Sequence, residues 1–169
     1  MAQPNVPANS RSKSRSKFLL RARSSPPLSR AREERVFSVT ISTSPRLGVF
    51  RDIDFGHRSV ALLESQAIFR GAPIYAYCLM PNHAHILIGV GPRSPLPRFV
   101  ERWKERCARE WWRLRRQESF WQRGFDDQGP HGPEEVRATA LHILGNPVRA
   151  GLVEDRRDYP LAGSFVWKV

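Results

Sequence analysis

The chain has 169 residues, enough for one domain with a buried core, and 28 Lys/Arg against 16 Asp/Glu give it a net charge of +12. That excess favours a polyanionic partner, nucleic acid ahead of a membrane surface. No apolar run approaches the ~20 residues of a bilayer-spanning helix, and Phe18-Leu19-Leu20 among arginines is too short for a secretory signal, so a cytoplasmic protein without membrane association is expected.

Residues 1–34 read as a disordered basic arm, and residues 35–169 as one α+β domain. The arm carries the low-complexity run Ser10-Arg11-Ser12-Lys13-Ser14-Arg15-Ser16-Lys17 and the break Pro26-Pro27. Such an arm tracks phosphates without sequence preference; a solvated tail, a transit peptide or a misassigned start are the plainer readings. The folded part keeps a positive charge of its own.

Within the domain, Phe37, Val39 and Ile41 alternate with Ser38, Thr40 and Ser42, the pattern of a half-buried strand. A helix is predicted over 58–70, with Val60, Leu63 and Ala67 inward and Gly71 as its C-terminal cap. Ile74 to Met80 and His83 to Val90 follow as strands around a Pro81-Asn82 turn. A long helix over 96–117 buries Val100, Trp103, Cys107, Trp111 and Leu114. Its other faces carry Arg98, Arg102, Arg106, Arg109, Arg113 and Arg116, a candidate phosphate-binding surface to which Arg123 is added; Trp112 falls off the stripe. Phe120 to Phe125 reads as a short strand and Gly129 to Pro133 as a loop. A last helix begins at Pro133, burying Val136, Ala140, Ile143 and Leu144, and runs to about Gly145 before Pro147. Cys78 and Cys107 read as reduced, buried thiols. The element order predicts an α+β sandwich, an antiparallel sheet with helices packed on it.

The chemistry concentrates in Leu79-Met80-Pro81-Asn82-His83-Ala84-His85-Ile86-Leu87-Ile88. Alternate strand residues share a face, so His83 and His85 stand about 7 Å apart along one side. Ala84, Ile86, Ile88 and Val90 line the other. Two such imidazoles can share one metal ion when a third ligand comes from elsewhere; an exposed pair on an edge strand does nothing. On the last helix, Thr139, His142 and Asn146 fall together beside the buried face. The Asn146 amide suits Mg²⁺ or Mn²⁺ beside two imidazoles; the plainer role is a C-terminal cap before Pro147.

Tyr77-Cys78-Leu79-Met80-Pro81-Asn82-His83-Ala84-His85-Ile86-Leu87-Ile88 resembles the His-hydrophobic-His segment of single-strand DNA transposases, above all the REP-associated tyrosine transposases. Phe120 to Asp127 resembles their Trp-Gln segment, Asn146-Pro147-Val148-Arg149-Ala150-Gly151-Leu152-Val153 the end of their catalytic helix, and Asp158-Tyr159-Pro160 with Ser164 their tail. The resemblance spans residues 36–165. It implies a ferredoxin-like fold, a single-stranded or hairpin DNA partner, and a divalent metal (Mg or Mn) held by His83, His85 and Asn146. It further implies strand cleavage and joining through a phosphotyrosine. The sequence departs from that pattern at one decisive place: His142 stands where the nucleophilic tyrosine belongs. It also replaces an expected basic stretch with residues 127–133. With a symmetric Pro81-Asn82 turn, Tyr75 and Tyr77 face away from the histidines, and Tyr159 lies in the tail. Three roles for His142 remain: a further metal ligand with water as nucleophile, a phosphohistidine, or a relic in a protein that binds without cutting. A nucleic-acid-binding module without catalysis and a protein–protein adaptor are the competing functions. Monomer and homodimer are both compatible with the sequence.

Overall fold

The computed structural model describes residues 34–44, 47–92, 94–115 and 120–168. The predicted arm up to residue 33, and Arg116, lie outside that set. Five strands form one antiparallel sheet in the order β4-β1-β3-β2-β5: β1 Arg35–Ser42, β2 Ile74–Met80, β3 His83–Val90, β4 Asp126–His131 and β5 Ala162–Gly163. The helices are α1 Ile53–Arg70, α2 Leu96–Arg115, α3 Pro133–Leu144 and the single turn α4 Asn146–Arg149. The sequence β1-α1-β2-β3-α2-β4 is the split βαβ order of the ferredoxin-like sandwich, as expected.

Both faces of the sheet are covered. On one side, Val39, Ile41, Ala84, Ile86 and Ile88 meet α1 and α2 through Phe55, Leu63, Phe99 and the fully buried Trp103. The Trp103 indole donates to the Ser59 carbonyl at 3.0 Å and Gln66 Nε2 to the Phe99 carbonyl at 2.7 Å, so the two helices are tied by polar as well as apolar contacts. On the other side, Val36, Ala76, Cys78 and Leu87 meet Val136, Ala140, Ile143 and Leu144 of α3. Both cysteines are free and buried, as read from their spacing. Among the described residues no helix is long and apolar enough to cross a membrane.

Four elements differ from the sequence reading. Helix α1 starts five residues early, at Ile53, because Asp52 caps it by accepting from the Phe55 N–H at 3.1 Å. Gly56 lies inside this helix, where an added Cβ would sit 2.4 Å from Leu161 Cδ1; the C-terminal tail packs on the space the glycine leaves. Residues 126–131, read partly as a loop, form strand β4 on β1, whereas Phe120 and Trp121 join the aromatic core and only Trp121 bridges Thr43. β4 is an exposed edge, so it shows no apolar alternation and tolerates Pro130. Leu114, placed on the buried stripe of α2, is 42% exposed because the core contacts of that helix end at Trp111. Finally, a register shift between Ile74 and Ala76 turns Tyr75 to the α3 side of the sheet, where it packs near Trp167.

Candidate functional site

The histidine pair sits on β3, the middle strand of five, and its side chains project from the α3 face with Leu87. In register, Thr40 and Cys78 flank His85, and Ser42 and Met80 flank His83. The Pro81-Asn82 turn is therefore the symmetric one expected. His83 Nε2 and His85 Nε2 lie 3.0 Å apart with the rings nearly perpendicular, at 87°. That gap matches two adjacent ligands of one ion at the usual metal–imidazole length of about 2.1 Å.

The outer nitrogens are held. Asn82 Oδ1 is 2.8 Å from His83 Nδ1, and Thr40 Oγ1 is 3.1 Å from His85 Nδ1. The amide oxygen accepts only, so His83 carries its proton on Nδ1 and its Nε2 presents a lone pair. With that lone pair 3.0 Å away, His85 donates from Nε2 and accepts from the Thr40 hydroxyl at Nδ1; because the hydroxyl also accepts, the ring can invert its tautomer to bind a cation and still keep this partner. Burial lowers the pKa of His83. Burial first, then the charges of His83, His142 and Arg149, push that of His85 down to about 4. Both rings are neutral at neutral pH, the form that binds a cation.

From His85 the site opens into a cleft of about 510 Å³ between β1, β4 and α3, lined by Thr40, Gln128, His131, Thr139, His142 and Asn146 among others. The helix-flank trio Thr139, His142 and Asn146 thus faces one space with His85. On the other side, His83 borders an open pocket of about 590 Å³ shared with Arg51, Asn82 and Leu152. Asn146 does not cap α3; Gly145 does, and Asn146 begins the turn α4. Its Oδ1 accepts from Arg149 Nη2 at 2.5 Å.

Among the described residues no group of three or more His, Cys, Asp or Glu gathers as a metal centre. A metal site here must rest on the two imidazoles and an amide oxygen, a donor set that such a grouping omits. The converging Nε2 atoms fit a metal ion; the third donor is engaged by a guanidinium.

The chain's three tyrosines lie elsewhere. Tyr75 donates to Glu34 Oε1 at 2.6 Å, Tyr159 to the Leu79 carbonyl at 2.8 Å, and Tyr77 stacks on Phe165 in the α1/α2 layer. None lines the cleft.

The arginines divide. Arg98, Arg102, Arg109, Arg113 and Arg123 are exposed, but α2 packs on the face opposite the histidines. Arg106 is committed to α1, donating to the Leu62 carbonyl at 3.0 Å and Ser65 Oγ at 2.9 Å. Arg113 pairs with Glu110 at 3.6 Å. Sequence reasoning missed Thr40, Asn82 and Arg149. The strand alternation that placed His85 beside β1 was the signal for Thr40, once the pairing was known.

An open antiparallel sheet between two helical layers, with paired imidazoles on its central strand, makes this an α+β sandwich with a candidate metal-binding site. A family model described as "Transposase IS200 like" matches residues 37–128, more than half of the chain, and the protein belongs to that family. Its fold is similar to the solved structure of a REP-associated tyrosine transposase bound to a REP hairpin, at 16% identity and a TM-score of 0.63, over 77% of this chain and 76% of that one. It is also similar to a crystal structure from Deinococcus radiodurans R1 described as that of a transposase, at 21% identity and a TM-score of 0.51, over 67% and 90% of the two chains. At these identities the likeness is one of fold. No curated protein matches the chain.

Proposed function

We propose that the protein binds single-stranded or hairpin DNA and holds a divalent metal, Mg²⁺ or Mn²⁺, at His83, His85 and Asn146, without forming a phosphotyrosine. The observation that carries this reading is the 3.0 Å approach of the two Nε2 atoms beside a cleft that also holds Asn146 and His142. The REP hairpin seen with the structural neighbour supports DNA of that kind as the partner. When bound, the metal polarises a phosphate oxygen and supports the charge that develops on it.

The protein's own groups do the rest. Asn82 and Thr40 hold the rings so that little ordering is left for the moment of binding. The exposed arginines of α2 and Arg123 supply sequence-independent attraction for the backbone on the other face. His142, in the tyrosine's place on α3, presents an imidazole rather than a phenol, so joining through a phosphotyrosine stops at that step. A second reading follows from the exposed His142 ring on the cleft wall: it takes the proton of an attacking water, and the strand is hydrolysed.

The test is a labelled DNA hairpin with single-stranded flanks, titrated with the full chain and Mn²⁺ and then run on a denaturing gel. Salt-sensitive binding with intact strands and no covalent protein–DNA band is the expected result. Binding that ignores salt, or no binding, contradicts the proposal. Mn²⁺-dependent cutting lost in His142→Ala selects hydrolysis.

A further inference from the structure

Arg149, exposed on α4, folds back onto the end of α3. Its Nη2 donates to Asn146 Oδ1 and to the His142 carbonyl, each at 2.5 Å. Gly145 leaves the space for it: a Cβ there would lie 2.8 Å from Arg149 Nη1. Among the described residues no carboxylate pairs with this guanidinium.

We infer that Arg149 is a phosphate-binding residue that rests on the Asn146 amide until DNA arrives, so that metal and DNA bind cooperatively. This rests on the proposed metal site. Asn146 Oδ1 is a poorer ligand for a divalent cation while a guanidinium holds one of its two lone pairs, because the two positive groups repel across one oxygen. Moving the guanidinium away vacates the amide. A DNA phosphate, anionic and matched to the planar fork, is the acceptor that takes it up. Each ligand thus removes an obstacle to the other, and linkage requires the effect to be mutual.

The experiment is calorimetric titration of Mn²⁺ into the full chain without DNA, together with the salt dependence of binding to a single-stranded oligonucleotide in saturating Mn²⁺. Wild type, Arg149→Met, Gly145→Ala and His83→Ala/His85→Ala are compared. Arg149 is exposed, so Arg149→Met is not expected to unfold the protein. Arg149→Met should bind Mn²⁺ about tenfold more tightly than wild type, within the usual range of site-to-site coupling. Its salt slope on the oligonucleotide should fall by about one, the signature of one lost phosphate contact. Gly145→Ala crowds the guanidinium without deleting it, so Mn²⁺ should tighten while the salt slope stays. Unchanged or weaker Mn²⁺ binding in Arg149→Met overturns the inference. If wild type and Arg149→Met both bind Mn²⁺ no better than His83→Ala/His85→Ala, the metal reading itself falls, and this inference with it.

Discussion

Thr40 on β1 and His85 on β3 face each other in register, and the Thr40 hydroxyl lies 3.1 Å from His85 Nδ1. This contact fixes the ring whose other nitrogen meets His83. Thr40→Val keeps the β-branched shape and removes only the hydroxyl. It should weaken Mn²⁺ binding by about 10- to 100-fold, as loss of a partner behind a metal ligand usually does. Folding stability should change by about 1 kcal/mol or less. Calorimetry and a urea melt separate the two effects; an equal loss in both would make Thr40 a purely structural residue.

Leu161 of the tail packs on the space that Gly56 leaves on α1. Alanine at position 56 gains up to about 1 kcal/mol of helix propensity. It also places a Cβ 2.4 Å from Leu161 Cδ1. Overpacking of this kind costs about 1–3 kcal/mol, so the net effect should be destabilising. Gly56→Ala combined with Leu161→Ala should cost less than the two single changes added. Additive losses in urea melts would show that the two residues do not collide.

Asp52 caps α1 and pairs with Arg115 at the end of α2. The Phe55 N–H, and after it the Arg115 guanidinium, hold its carboxyl below the usual 3.8. The folded protein therefore releases this proton more readily than the unfolded chain. The stabilisation is full above the ordinary carboxylate value and is lost as pH falls through the lower, folded value. Asp52→Ala should cost about 1 kcal/mol at neutral pH, and the gap to wild type should close in acid. A gap that stays constant with pH would mean the charge plays no part.

His142 faces the same cleft as His85. Tyrosine at this position restores the missing hydroxyl, and His142→Tyr should yield a covalent protein–DNA band on a denaturing gel with Mn²⁺ and hairpin DNA. A folded, DNA-binding His142→Tyr that gives no such band would show that the rest of the site no longer supports attack.

The parts of this structure governed by local pattern were legible in the sequence. β2 and β3 follow from an apolar run broken by Pro81-Asn82, and the shared side of His83 and His85 follows from strand alternation. The placement of Thr139, His142 and Asn146 on one cleft follows from helix geometry. What was not legible depends on contacts distant in the chain. The helix predicted over 58–70 takes in Gly56 as well, and Leu161, which packs on that glycine, lies in the C-terminal tail. β4 is held by backbone pairing to β1, and its exposed side chains carry no burial pattern. Tyr75 changes face through a bulge that no residue of β2 announces. The arginines of α2 were identified as exposed, but their separation from the histidines is set by which sheet face the helix covers.

The most direct test of the account is pulsed electron paramagnetic resonance of Mn²⁺ bound to the full chain. The account predicts coupling to two imidazole nitrogens, lost in His83→Ala/His85→Ala. Bound Mn²⁺ with no nitrogen coupling, or with coupling that survives in that double variant, would contradict it.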